Sequence, residues 1–416
     1  MENKKRCLWL ANHPILRTFA KSLLSDLAIE MYSPRQITYC EDEIKDSIAF
    51  ETISTLSLSK NEMKTLAALS NISDTNMLDM ENVNQYFDIA VLEFRPSILA
   101  QFVKKFEGII ILYAPGLENG ATYTDILIKK YGRGFLDDIE NLGKRFVFGV
   151  GLENIVEHEC RILKNRASYL PVAVEAENIA WNCEKKKILF SCPNINVYPS
   201  RKKLYNNFKE IFQNYEYCIE GMQLVLVKDS KVLEDIPENQ CKDMVRTATV
   251  MVSLTQEKYC IDYAPLEAAK SGIPLIYLEG SFLDTLTKVQ NSGKCKDIHE
   301  VKRKIDRVLN GDVNYIEKLK ASQRGVAEKF EYTCCFNNWK KLLDEKFALM
   351  NENSFRHKKE KPEKKIGFLL NDVISETSIQ LIKKIIDVEA IEGHAIIGYL
   401  KNSMIERNEI YTRSEE

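Results

Sequence analysis

From Arg6 onward, short apolar runs alternate with longer segments in which apolar side chains recur every three or four positions. Such alternation predicts buried strands separated by amphipathic helices, and therefore a mainly parallel sheet covered on both faces. The first strand is expected at residues 7–11. A helix follows at Pro14, with Ile15, Leu16, Phe19, Leu23 and Leu24 along one face. Further strands are expected at 89–93, 109–114 and 146–150, with helices at 98–106, 123–131 and 152–163. Together they compose one doubly wound domain over residues 1–173. Residues 44–81, rich in Ser, Thr and Asn, carry one expected helix near 62–69.

A polar stretch at 174–187 precedes a fresh series of alternating elements, so a domain boundary is expected there and a second Rossmann-like domain over 185–350. Its expected strands are 188–192, 223–227, 249–253 and 274–278. Its expected helices are 201–212, 238–246, 265–271 and 301–309, with a closing helix at 336–350 that carries Trp339. Residues 351–365 include the basic run RHKKEKPEKK, which reads as a solvated linker. The remainder, 366–416, resumes with an IGFLL strand and a helix at 379–386. It reads as an α/β appendage or a fragment of a further domain, with too few neighbours to form its own core. The fold class is thus α/β, two Rossmann-like doubly wound domains facing a cleft, plus that appendage.

Composition narrows the function classes. With 45% apolar and 28% charged residues, the 416-residue chain can bury a core, which excludes fibrous and disordered classes. A net charge of −2 supplies no global attraction to a nucleic-acid backbone, so any anion site is local. The longest apolar runs, such as 108–114, fall far short of the ~20 residues a membrane-spanning helix needs. The basic start is followed only by residues 7–11 before Asn12, His13 and Pro14, unlike a signal peptide. A cytoplasmic location is expected, with room for association at the inner face of a membrane. Eleven cysteines, none in a C-x-x-C pair, read as reduced and mostly buried.

The most informative string is YAPLEAAKSGIPLIYLEGS, residues 263–281. Pro265 suits a first helical position, Glu267 a first turn, and Gly272 a helix stop before the strand at Pro274. A ligand phosphate could rest on that helix N-terminus, and Glu267 could accept hydrogen bonds from a ribose diol. Equally, Glu267 could merely cap the helix and Gly272 merely end it. The stretch LEAAKSGIP, Leu266 to Pro274, resembles the signature of "group 1" glycosyltransferases of the GT-B fold, which carry E-x7-E followed by LEA-x-A-x-G-x-P. The resemblance implies that Glu267 binds the ribose of a nucleotide sugar and that Pro265 and Leu266 lie where the helix faces the diphosphate. One departure is plain: Tyr259 stands at the place of the family's first glutamate.

In FSCPNINVYPSRKKLYNNF a strand ends at Cys192 and a helix begins after Ser200, a candidate N-cap. Arg201, Lys202 and Lys203 then occupy a helix start, where positive charge is unfavourable without a nearby anion. GT-B enzymes place phosphate-binding residues on the corresponding loop, which implies Ser200 and Arg201; a solvated basic face is the alternative. His13, directly after the first strand, should lie at the carboxyl edge of the sheet, and is the candidate catalytic base, as in some inverting GT-B families. It could instead hold a loop carbonyl. Gly116, in YAPGLENGATY, and His158, in GLENIVEHECRIL, are candidates for the acceptor side of the cleft, with turn chemistry and a surface helix as the respective alternatives. The histidines are too dispersed for a metal site, and no D-x-D pair is present.

The resulting expectation is a metal-independent glycosyltransferase with no cofactor, using a nucleotide-sugar donor and a glycan or lipid-linked glycan acceptor. Envelope polysaccharide synthesis in bacteria (capsule, O-antigen or lipopolysaccharide) follows from the resemblance alone. The alternatives are a GT-B-fold nucleotide-sugar epimerase and a non-catalytic glycosyltransferase-like binding module. Nucleic acid is not an expected partner, and the sequence leaves the oligomeric state open.

Overall fold

The computed structural model describes residues 4–35, 51–67, 78–118, 120–174, 186–233, 247–286 and 291–352. Residues 1–349 form one compact unit and 350–416 a second. The first two residues of the expected linker continue the closing helix to Glu352; the rest of the linker, the appendage and the helix expected at 238–246 lie outside the described residues.

The first sheet contains β1 (Arg6–Leu10), β2 (Glu30–Ser33), β3 (Ile53–Ser54), β4 (Ile89–Glu93), β5 (Ile109–Ala114), β6 (Phe146–Val150) and β7 (Ala167–Tyr169). Their spatial order is β3-β2-β1-β4-β5-β6-β7, and every pairing is parallel except that of β3. The inner strands read as near-continuous apolar runs, IAVLE, IIILYA and FVFGV, because helices cover both faces. Those helices are α1 (Pro14–Asp26), α2 (Lys60–Ala67), α3 (Met80–Tyr86), α4 (Pro96–Lys105), α5 (Tyr123–Tyr131), α6 (Gly134–Asn141) and α7 (Arg161–Asn165). The single helix expected at 152–163 is two pieces, a 3-10 turn at Glu153–His158 and then α7. The break turns Glu159 inward, where its carboxylate accepts hydrogen bonds from the backbone N–H groups of Tyr123 and Thr124, both at 2.9 Å. A carboxylate there satisfies two N–H groups that have no partner within α5, where the helix dipole favours negative charge.

The second sheet contains β8 (Ile188–Ser191), β9 (Tyr217–Glu220), β10 (Val250–Ser253), β11 (Leu275–Leu278) and β12 (Lys294–Cys295), ordered β12-β11-β10-β8-β9 and parallel throughout. Around it lie α8 (Pro199–Ile211), α9 (Tyr263–Lys270), α10 (Leu283–Leu286), α11 (Ile298–Leu309) and α12 (Val313–Ala327). Phe190 of β8 stacks on Phe208 of α8 with ring centroids 4.0 Å apart, and joins one continuous core with Ile219, Val252, Ile276 and Ile305. The strand expected at 223–227 is not one. Gln223 is buried there, and its amide serves the loop after β8, accepting from Ile195 N–H and donating to the Cys192 carbonyl, each at 2.8 Å. The chain pairs with β9 further on instead, at Ile219–Val232.

The last helix among the described residues, α13 (Tyr332–Glu352), returns to the first sheet. Trp339 is fully buried against Trp9, Phe19 and Tyr113, and its indole N–H donates to the Pro171 carbonyl at 3.0 Å. Among the described residues no helix is long and apolar enough to cross a membrane.

Candidate functional site

In parallel α/β sheets the loops after the strands gather at the carboxyl edge, and here the two edges meet. The first sheet contributes His13 after β1, residues 115–118 after β5 and 152–158 after β6. The second contributes 192–201 after β8, Glu220 at the end of β9 and 254–262 after β10.

The meeting is made by backbone as well as side chains. Ile261 N–H donates to the Pro115 carbonyl at 2.8 Å, and Gly116 forms an antiparallel bridge with Cys260. Gly116 has φ +103°, and a Cβ on it would lie 1.8 Å from the Tyr259 carbonyl oxygen, so only glycine permits this approach. The buried hydroxyls of Tyr113 and Tyr263 are 3.0 Å apart. Asn154 donates to the Lys258 carbonyl at 3.0 Å, Tyr259 O–H donates to the Glu157 carboxylate at 3.1 Å, and His158 packs edge-on against the Tyr259 ring. Beside this seam lies a cavity of about 450 Å³ whose lining includes Glu157, Tyr169, Lys258, Asp284 and Lys329.

The start of α8 differs from expectation. Tyr198 is its N-cap and Pro199 its first residue, so Ser200 lies inside the first turn and does not cap it. Arg201 is also in that turn, and the anion that offsets it is Glu118 from the first sheet. The Arg201 guanidinium pairs with one oxygen of Glu118, and Ser200 O–H donates to the other at 3.3 Å. Burial disfavours the charge on Arg201, but Glu118 and Asp262 outweigh it and hold the guanidinium above its ordinary pKa.

The start of α9 differs too. Asp262 is the N-cap, its carboxylate accepting from Ala264 N–H at 3.3 Å, so Pro265 is the third helical residue, not the first, and Glu267 lies beyond the first turn. Pro265 is tolerated because first-turn N–H groups have no intrahelical partner. The Pro265 and Leu266 side chains point into the core. Gly272, with φ +79°, follows the helix end as expected. Glu267 forms a carboxylate group with Asp262 and Glu220. Burial and the Asp262 charge push Glu267 up to about 7; burial, Glu267 and Asp262 push Glu220 up to about 8.

His13 lies where the sequence placed it, as the N-cap of α1. It holds a backbone N–H and not a carbonyl: its Nδ1 accepts from Ile15 N–H at 3.3 Å, and its ring packs against Tyr263 at 5.2 Å. The residue is exposed at the surface, yet the protein packed around the ring pushes the imidazole down to about 4, so it is neutral at pH 7. In a neutral ring whose Nδ1 accepts, the proton resides on Nε2.

Ser200 and Arg201 thus meet the first domain through Glu118, while His13, Gly116 and His158 meet the second through Tyr263, Cys260 and Tyr259, and Glu267 faces Asp262 and Glu220. Sequence reasoning passed over Glu118, Glu220 and Asp262. Asp262 had a signal, an acidic residue directly before an apolar-periodic segment.

No family model matches the chain, and no curated protein matches it in sequence. Solved structures do match in fold. The sucrose-phosphate synthase of Thermosynechococcus elongatus superposes with a TM-score of 0.53 at 10% identity, over 83% of this chain and 100% of that one. The α,α-trehalose-phosphate synthase of Burkholderia xenovorans gives 0.51 at 9% identity, over 82% and 100%. TarM gives 0.45 at 13% identity over 68% of this chain, which spans 57% of TarM's length. Two mainly parallel Rossmann-like sheets that meet through their carboxyl edges, and the superposition on both synthases, give this chain the GT-B fold of the glycosyltransferases.

Proposed function

We propose that the chain is a nucleotide-sugar-dependent, metal-independent glycosyltransferase that moves a sugar to a hydroxyl acceptor in bacterial envelope polysaccharide synthesis. The observation that carries this reading is the joint placement of Arg201 and Glu267 at the carboxyl edge of the second sheet, opposite His13 on the first. The names of the two synthases of the same fold agree with sugar transfer.

In this reading Arg201 and the Ser200 hydroxyl hold the diphosphate, and the guanidinium stabilises the charge that gathers there as the glycosidic bond breaks. Glu267, raised to about 7, accepts from or donates to a ribose diol. Pro265 and Leu266 contribute by backbone position, since their side chains are buried. His13 donates a hydrogen bond from Nε2 toward the transferring sugar or its leaving phosphate. Service as the base at Nε2 requires the proton to move to Nδ1 and the bond from Ile15 to be given up. The acceptor enters by the cavity beside the seam, whose polar lining suits a polyhydroxylated glycan, free or lipid-linked, while Gly116, closed against Cys260, and His158, packed on Tyr259, shape its edge and do not open onto it.

One observation favours a second reading, a non-catalytic binding module: Tyr259 occupies the place of the family's first glutamate and turns its hydroxyl to Glu157. Thermal unfolding with UDP, GDP, ADP, CMP and their sugars separates the two. A transferase shows a selective stabilisation, ~2.7 kcal/mol at 100 times the dissociation constant, that Glu267→Ala abolishes. No shift with any nucleotide would overturn the transferase reading in favour of the binding module.

A further inference from the structure

We propose that Glu118 is a built-in occupant of the diphosphate position, an autoinhibitory contact that a donor must displace. The proposal rests on the reading of Arg201 and Ser200 as phosphate-binding residues.

Glu118 spends both carboxylate oxygens on two consecutive residues of the first turn of α8, one on the Arg201 guanidinium and one on the Ser200 hydroxyl. Two adjacent anionic oxygens on one guanidinium and one hydroxyl is the pattern a phosphate group would make. The pair is shielded, with side-chain exposures of 17% for Arg201 and 29% for Glu118, so water and salt weaken it less than a surface pair. The carboxylate arrives on a segment that is fastened independently. Pro115 accepts from Ile261, Gly116 bridges to Cys260, and Gly116 N–H donates to the Tyr123 hydroxyl at 3.0 Å. The short loop after β5 therefore delivers a negative charge to α8 while holding the segment that leads into α9.

A ligand shifts such an equilibrium only by its differential affinity for the two states. A diphosphate carries more negative charge than one carboxylate, and a nucleotide adds contacts at Glu267, so the donor has that advantage over Glu118. Part of its intrinsic affinity is consumed in the displacement, and the apparent affinity of the unmodified protein is lower by that amount.

Calorimetric titration of UDP, GDP, ADP and inorganic pyrophosphate into the full chain and its Glu118→Gln, Glu118→Asp and Glu267→Ala variants tests this. Glu118→Gln is expected to bind pyrophosphate and the preferred nucleotide about tenfold more tightly than the unmodified chain. Glu118→Asp, which keeps the charge but shortens its reach, should fall between them, and circular dichroism of the free variants checks that both stay folded. If the unmodified chain binds a nucleotide, Glu267→Ala loses it and both Glu118 variants bind as the unmodified chain does, the latch is overturned and the donor site stands. If neither nucleotide nor pyrophosphate binds any variant, the donor site falls and the latch with it.

Discussion

The indole of Trp339 lies 5.6 Å from that of Trp9, and the two rings, from the last described helix and the first strand, share one core. Both are fully buried, and Trp339 also ties the segment between the sheets through its bond to Pro171. Trp339→Ala should cost ~3–5 kcal/mol through the cavity it leaves. Trp339→Phe, which fills most of the space but orphans the Pro171 carbonyl, should cost ~1–2 kcal/mol. Urea midpoints of the two variants check the order; equal values would place the last helix outside the core.

Tyr113 and Tyr263 join the two sheets by one buried hydroxyl pair. Either Tyr→Phe change leaves the other hydroxyl without its partner and should cost ~1–2 kcal/mol. The double change should cost less than the sum of the singles, because both partners leave together. A thermodynamic cycle measures this, and strict additivity would mean the hydroxyls do not interact in solution.

Gly116→Ala meets two obstacles, a left-handed φ of +103° and a Cβ only 1.8 Å from a backbone oxygen. The seam between Pro115 and Ile261 should open, at a cost of ~2 kcal/mol or more. Hydrogen exchange at the Ile261 amide reports it directly: faster exchange is expected, and an unchanged rate would show that the seam tolerates a side chain.

Stability should fall as pH rises from 6.5 to 8.5. Glu267 and Glu220 are raised to about 7 and about 8 in the folded chain, against 4.5 unfolded, so across this window the folded state binds more protons than the unfolded one. Stability is lost wherever that holds and pH increases. His13, lowered to about 4, acts in the opposite direction, but its contribution is nearly complete about one unit above the unfolded value of 6.5 and offsets only a small part of the loss. The expected loss is ~2 kcal/mol. Glu220→Gln, which removes the larger shift, should flatten the profile. A profile in which the variant parallels the unmodified chain would show that Glu220 is not raised in the folded chain.

The inner strands were legible because burial on both faces leaves a continuous apolar run, and β4, β5 and β6 have the bounds the sequence implies. Short edge elements were not. Tyr217–Glu220 offers four residues, one of them charged, whereas the more strand-like LVLV at 224–227 is a loop because Gln223 spends its amide on the backbone after β8. At the candidate site, His13 and Arg201 could be placed from the strands that precede them. Glu118 could not, since nothing in GLEN distinguishes a solvated turn from one that reaches a guanidinium on α8 of the other domain. Helix starts were shifted by two residues at both α8 and α9, because Tyr198, not Ser200, caps the first and Asp262 caps the second two residues ahead of the expected start.

The return of the last helix to the first sheet sets an order of events during synthesis. Trp9 is made almost at once, but the indole that covers it emerges only after both sheets have been translated, tens of seconds later at ~5–20 residues per second. Until then the first sheet has an uncovered apolar face on the ribosome, and the second must form beside an unfinished neighbour. A nascent chain halted before Trp339 accordingly exposes the apolar surface around Trp9, the kind of surface that chaperones bind.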